Sequence, residues 1–182
     1  VSDKDRIRWD AAYADREPVS EPGLPQTFSG QADVFPLAGS ALDVACGTGR
    51  VAVWLARRGL HVWGLDVSPV AVTQARQSAV HHGVADRCRF DVIDLDDGLP
   101  PGPPVDVIVC HRFRDRSLYP AMVERLAPGG ILAINVLSEV GAEPGRFRAA
   151  AGELTTAFAG LDVMTEGEGG GEAWLLARRR RA

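Results

Sequence analysis

Lysine is nearly absent from this sequence: Lys4 is the only one among 20 basic residues, so arginine carries the positive charge. A GC-rich coding bias explains this more simply than selection for phosphate binding. Cysteine is scarce too. Cys46, Cys88 and Cys110 are odd in number and show no CxxC spacing, which argues against a disulfide framework or a cysteine zinc site. No metal site is expected, and a reducing, cytoplasmic setting fits best. No run approaches the roughly 18 consecutive apolar residues of a membrane span. The charged start VSDKDRIRWD does not read as a signal peptide. With a net charge of −4 there is no basic excess of the kind a general nucleic-acid binder needs, so no nucleic-acid partner and no membrane are expected. Internal repeats and long linkers are missing as well.

What is present is one domain's worth of chain: 182 residues, 46% apolar and 24% charged. Ile7, Trp9 and Tyr13 among charges predict a short amphipathic helix over 4–16, with Trp9 and Tyr13 on one face. Prolines make 18–28 irregular, and a short element is expected around 30–38. From residue 41 the pattern alternates. Strands are predicted at 41–46, 61–67, 88–95, 105–113 and 131–137, and helices at 50–59, from Pro69 to about His82, at 118–126 and around 154–158. Ser68 followed by Pro69 is an N-cap with proline at the first helical position. DDGLPPGPP, between the third and fourth strands, is too rich in proline for a regular helix. LDVMTEGE and EAWLLARRR read as a terminal hairpin. Alternation of this kind predicts an α/β fold with a mostly parallel sheet and an antiparallel end.

The stretch DVACGTGR turns from a strand into a helix, and Gly47, Gly49 and Ala52 fit a dinucleotide fingerprint in its Gly/Ala form. Asp66, at the end of the second strand, suits a ribose and is equally expected for NAD. Asp43 is the discriminator. A carboxylate close to a pyrophosphate in a partly desolvated cleft is repelled. It favours a ligand with an ammonium group and no phosphate, such as S-adenosylmethionine (SAM).

Taken in order, DVACGTGR, GLDVSP, FDVIDLDD, VDVIVCHRF and LAPGGILAINV resemble the successive motifs of the class I SAM-dependent methyltransferases over about residues 40–182. The small tellurite-resistance and thiopurine methyltransferase type is the most similar, since it also carries an N-terminal Trp-x-x-x-Tyr-like helix. The resemblance implies a three-layer Rossmann-like sheet of seven strands with an antiparallel C-terminal strand. It makes 40–182 the SAM-binding domain and 1–39 a segment on the substrate side or a lid, within one globular unit. It implies that Asp43, Ala45, Gly47, Thr48 and Gly49 surround the methionine moiety. Asp66 would hold the ribose, Val67 and Leu95 would pack on the adenine, and Asp94 would accept its amino group. Cys110 and His111 would lie near the donor methyl, and S-adenosylhomocysteine (SAH) would be the product. The missing helix between the third and fourth strands departs from the pattern and thins one wall of the adenine pocket.

Methyl transfer needs alignment above all, with a base only for a protonated nucleophile. His111, beyond the fourth strand, is the candidate base, or else a loop histidine packed beside the cofactor. Arg112 and Arg114 either bind an acidic acceptor or pair with Asp115, and Trp9 with Tyr13 either covers the substrate or packs on the sheet. Cys110 lacks the Pro-Cys context of a covalent nucleophile, and Arg178 to Arg181 read as a solvated chain end. Short connections leave room for a small-molecule acceptor, with a homodimer as one way to complete the pocket. The rival readings are an NAD-dependent oxidoreductase and a SAM-binding protein without turnover.

Overall fold

A computed structural model describes residues 3–14 and 21–181. The elements are α1 (Asp3–Ala14), β1 (Gly39–Val44), α2 (Arg50–Arg57), β2 (Leu60–Asp66), α3 (Pro69–His81), β3 (Cys88–Val92), β4 (Val105–His111), α4 (Tyr119–Arg125), β5 (Leu126–Leu137), α5 (Glu153–Ala157), β6 (Asp162–Gly169) and β7 (Glu172–Arg178). They build one seven-stranded sheet in the order β3-β2-β1-β4-β5-β7-β6. β1 to β5 pair in parallel, and β7 runs antiparallel between β5 and β6. Strand order reverses between β1 and β4. A ligand crevice is expected at the carboxyl ends of those two strands.

Side-chain alternation along the strands explains the three layers. Ala41, Val107, Val109, Ile131 and Ala133 face one core, closed by α2, α3 and the 3-10 turns at 26–34. Leu42, Val44, Ile108, Cys110, Leu132 and Ile134 face the other, closed by α4 and α5 through Met122, Leu154 and Phe158. α3 starts as its sequence dictates: Ser68 accepts a hydrogen bond from the Ala71 N–H, and Pro69 occupies the first turn.

Several elements differ from expectation. Ile7 is 60% and Trp9 38% exposed, so α1 is less amphipathic than expected, although Trp9 and Tyr13 both line the cleft; the expected last residues of that helix lie outside the described residues. β3 stops at Val92 because Asp94 caps a 3-10 turn at 95–97, accepting from the Asp96 N–H. β5 begins at Leu126 and takes in Pro128, Gly129 and Gly130, which were expected to end the preceding helix. The arginine-rich end is a clamp. Arg178 donates to the Gly129 carbonyl, Arg179 to those of Glu124 and Leu126, and Arg180 pairs with Asp162. Those carbonyls close α4 and open β5, where backbone acceptors lack partners of their own.

Candidate functional site

A cleft of about 530 Å³ opens at the carboxyl ends of β1 and β4. Among the residues lining it are Trp9, Tyr13, Asp43, Ala45, Gly47, Thr48, Asp66, Val67, Leu95, His111 and Arg112. The β1–α2 turn forms its floor. Gly47 and Gly49 adopt φ of 52° and 75°, a region that costs other residues roughly 1–2 kcal/mol. Gly47 also sits beneath the Tyr13 hydroxyl, which would lie 2.9 Å from an added Cβ. Gly49 does something else. A Cβ there would meet Ala75 and Phe90, so this glycine lets α2 approach α3 and β3, and it is not among the cleft-lining residues.

Ala45 and Arg112 are non-glycine residues at φ 57°. Both line the cleft, at the ends of the adjacent strands β1 and β4. Each strained residue is followed or held by a firm ladder bond: the Cys46 N–H donates to the Leu65 carbonyl at 2.8 Å, and the Arg112 N–H to the Asn135 carbonyl at 2.7 Å. Strain of this kind concentrates where backbone must approach a ligand.

Two carboxylates stand at one end. Asp66, 5% exposed, accepts from the Gly47 N–H at 2.8 Å and the Ser68 N–H at 2.9 Å, tying β2 to the glycine turn. Burial raises its pKa, opposed by those N–H groups and that of Val67, while Asp10 adds to the rise. Asp43 is 2% exposed. Burial pushes its carboxyl up to about 7, the Ala52 N–H pulls the other way, and the charge of Asp66 adds to the rise. Its Oδ2 is buried with no hydrogen-bond partner among the described residues. A buried acceptor left unpaired is costly, and this one borders a cleft. It is a ready receptor for an ammonium group.

His111 and Arg112 also line the cleft. His111, half-buried, is pushed down to about 4, chiefly by burial and then by Arg112, with Arg50 adding a little and Glu172 opposing. Its imidazole is therefore neutral at physiological pH. Arg112 donates to Glu172 at 2.9 Å, and the Asn135 amide holds the same carboxylate at 3.2 Å. Arg114 pairs with Glu153 through two bonds of 2.7 and 2.6 Å, joined by the Tyr119 hydroxyl. Neither arginine uses Asp115, which instead caps the turn at Ser117.

A protein-family model for a methyltransferase domain matches residues 41–130, the span from β1 into β5 that builds this cleft. TehB from Haemophilus influenzae shares the fold, with a TM-score of 0.76 at 18% identity over 94% of this chain and 67% of that one. Residues 41–130 are thus similar to a methyltransferase domain, and the chain shares the fold of a methyltransferase-like neighbour. Ribosomal RNA small subunit methyltransferase C of Alcanivorax borkumensis is 33% identical over 142 residues, 65% of this chain and 42% of that protein. The ubiquinone biosynthesis O-methyltransferase of Xylella fastidiosa is 33% identical over 110 residues, 57% of this chain and 44% of that protein. The chain thus spans less than half the length of either curated relative.

Within this methyltransferase fold, three expected cofactor residues fall outside the cleft lining: Gly49, Asp94 and Cys110. Cys110 precedes His111 on β4, and strand alternation sends the two to opposite faces. Its thiol lies in the α4–α5 core, bonds to the Phe113 carbonyl at 3.3 Å and is pushed up by burial, so it is no nucleophile. Asp94 caps the 95–97 turn through Oδ1. Conversely, Cys46, Arg50, Val51, Phe113 and Leu137 line the cleft unforeseen. Arg50 and Val51 were legible as the first helical residues after a ligand turn. Phe113 and Leu137 depend on how the loops after β4 and β5 fold back, which no local pattern encodes.

Proposed function

We propose that this chain transfers a methyl group from SAM to a small-molecule nucleophile. The observation that carries the reading is the buried, unpartnered Oδ2 of Asp43 beside the glycine turn. An ammonium satisfies it, whereas the pyrophosphate of NAD would face the carboxylate of Asp43 in a desolvated site. SAM when bound supplies an activated methyl on a sulfonium leaving group, which needs no acid.

The chain's own residues bind and orient. Asp43 receives the α-ammonium, Ala45, Gly47 and Thr48 lie against the methionine arm, and Asp66 accepts the ribose hydroxyls. Val67 and Leu95 sandwich the adenine. Alignment of this kind is worth up to roughly 7–11 kcal/mol. Neutral His111 takes the proton of a hydroxyl or thiol acceptor. A base held near pKa 4 suits acceptors whose proton is itself acidic, such as a phenol, and is dispensable for an amine. Arg112, with Trp9 and Tyr13, borders the acceptor. The net charge of −4 supports a small molecule over RNA, although one curated relative is a ribosomal RNA methyltransferase.

Calorimetric titration with SAM and NAD, followed by a labelled-methyl screen across phenol, thiol, amine and RNA acceptors, tests the reading. SAM binding with transfer to a small acceptor is expected. Binding of NAD alone would overturn it, and SAM binding with no turnover on any acceptor would leave a sensor.

A further inference from the structure

His111 lines the cleft, whereas the residue level with it on the next strand does not. That residue is Asn135, paired with His111 across β4 and β5 and with Trp174 across β5 and β7. His111 and Asn135 each stand two residues beyond a side chain of the same core, Val109 and Ala133, so alternation sends both to one face. Neighbouring strands lie about 4.8 Å apart, which makes the two side chains neighbours. The Arg112 N–H donates to the Asn135 carbonyl at 2.7 Å and locks the strands at this pair.

Asn135 is fully buried, and its amide is held from one side only. Nδ2 donates to Glu172 Oε2 at 3.2 Å, while Arg112 holds Oε1 of the same carboxylate at 2.9 Å. The first bond settles which way the amide faces, because a reversed amide would set Oδ1 against a carboxylate. With Nδ2 drawn toward β7, Oδ1 is left on the β4 side, where His111 stands. It is buried and has no hydrogen-bond partner among the described residues. An acceptor in that state costs roughly 1–3 kcal/mol. The neutral imidazole of His111 has one N–H to give.

We infer that Asn135 is a positioning residue for His111: its Oδ1 receives the imidazole N–H and so turns the unprotonated ring nitrogen to the cleft. A turn of the ring about its second side-chain torsion, a soft one, completes the bond. Glu172 holds the amide, the amide holds the ring, and the ring faces the acceptor. A base oriented by a third group is a recurring arrangement in catalytic sites. Here the orienter is neutral, so it aligns the ring without raising its affinity for a proton as a carboxylate would. The inference rests on His111 being the base of the function proposed above, and it adds Asn135 and Glu172, which lie outside the cleft lining.

Long-range proton–nitrogen NMR of the full chain with isotope-labelled histidine reads the tautomer of His111 without cofactor or acceptor. A His111→Gln sample assigns its signals among the 4 histidines. At neutral pH wild type should show one tautomer in excess by roughly tenfold or more, as expected for one buried hydrogen bond. In Asn135→Leu, which keeps the branched shape, and in Glu172→Ala, at a part-exposed position, the excess should fall to about threefold or less. With a phenolic acceptor Asn135→Leu should lower kcat roughly tenfold at unchanged KM for SAM. An amine acceptor, which needs no base, should react as fast as with wild type. An unchanged tautomer ratio in both variants overturns the inference. So does a phenol rate in Asn135→Leu equal to that of wild type, which would reduce the pair to packing. Absence of methyl transfer by wild type to any acceptor is a different result: it removes the proposed function, while the tautomer ratios still decide whether Asn135 holds His111.

Discussion

Asp43 is held at a cost to the folded protein, and its titration shows how. An unfolded chain loses this proton near the ordinary aspartate value of about 4, whereas the folded protein keeps it to about 7. Between those values the native state binds the extra proton, so stability falls as pH rises through the window and levels off above it. Asp43→Asn should therefore raise the melting temperature of the ligand-free protein at pH 8 and lower its affinity for SAM, a trade of stability for function. Below pH 7, SAM binding to wild type should release a proton, seen as a dependence of calorimetric heat on the buffer's ionisation enthalpy. No such release should occur in Asp43→Asn. His111 carries the opposite sign: its depressed value means that kcat with a phenolic acceptor should stay flat from pH 6 to 8 and fall only toward about 4. His111→Ala should lower kcat by roughly a hundredfold for a hydroxyl acceptor, in the range of general-base catalysis, and leave SAM affinity nearly unchanged. Equal rates in the two proteins would reduce His111 to packing. Asp43 could be singled out from sequence because its charge conflicts with a phosphate ligand. The depression of His111 could not, since it comes first from burial and then from Arg112, an environment that only the folded chain assembles.

At the scale of elements, the glycine turn divides its labour. Gly47 serves the cleft, whereas Gly49 serves the contact of α2 with Ala75 of α3 and Phe90 of β3. Gly49→Ala combines a left-handed alanine with an overpacked seam, so it should lower stability by about 2 kcal/mol or more, read as a shift in urea midpoint at unchanged slope. Ser68 joins two helices. Its hydroxyl caps α3 and also donates to Asp10 of α1, so Ser68→Ala should cost about 1 kcal/mol and loosen α1 as well. Much of this level was readable. The Ser68–Pro69 start, the glycine turn and the alternation of β1, β2, β4 and β5 are local patterns, and local chemistry decides them. The terminal arginines were not readable, because Arg179 finds its acceptors at Glu124 and Leu126, far away in sequence.

Across the whole molecule, the cleft is assembled from a rigid sheet and a lightly attached wall. α1 reaches the rest of the protein through Asp10 to Ser68 and through the Tyr13 carbonyl to Gln74, while its stacked Trp9 and Tyr13 overhang the cleft. The two cores either side of the sheet do not include α1. A chain beginning at residue 21 should therefore keep cooperative unfolding, yet release SAM roughly tenfold faster in stopped-flow measurements. Loss of cooperative unfolding would show that α1 is integral to the fold.

The placement of β7 has a consequence for how this molecule is made. β7 is the most C-terminal of the seven strands, yet it lies inside the sheet, between β5 and β6. Until residues 172–178 leave the ribosome, β5 presents an open edge and β6 has no strand to pair with. A nascent chain can order β1 to β4 early, but the sheet closes only after residue 178 has emerged. Translation pauses or truncations before residue 172 should leave an aggregation-prone intermediate, detectable as chaperone-bound nascent chain, rather than a smaller folded domain.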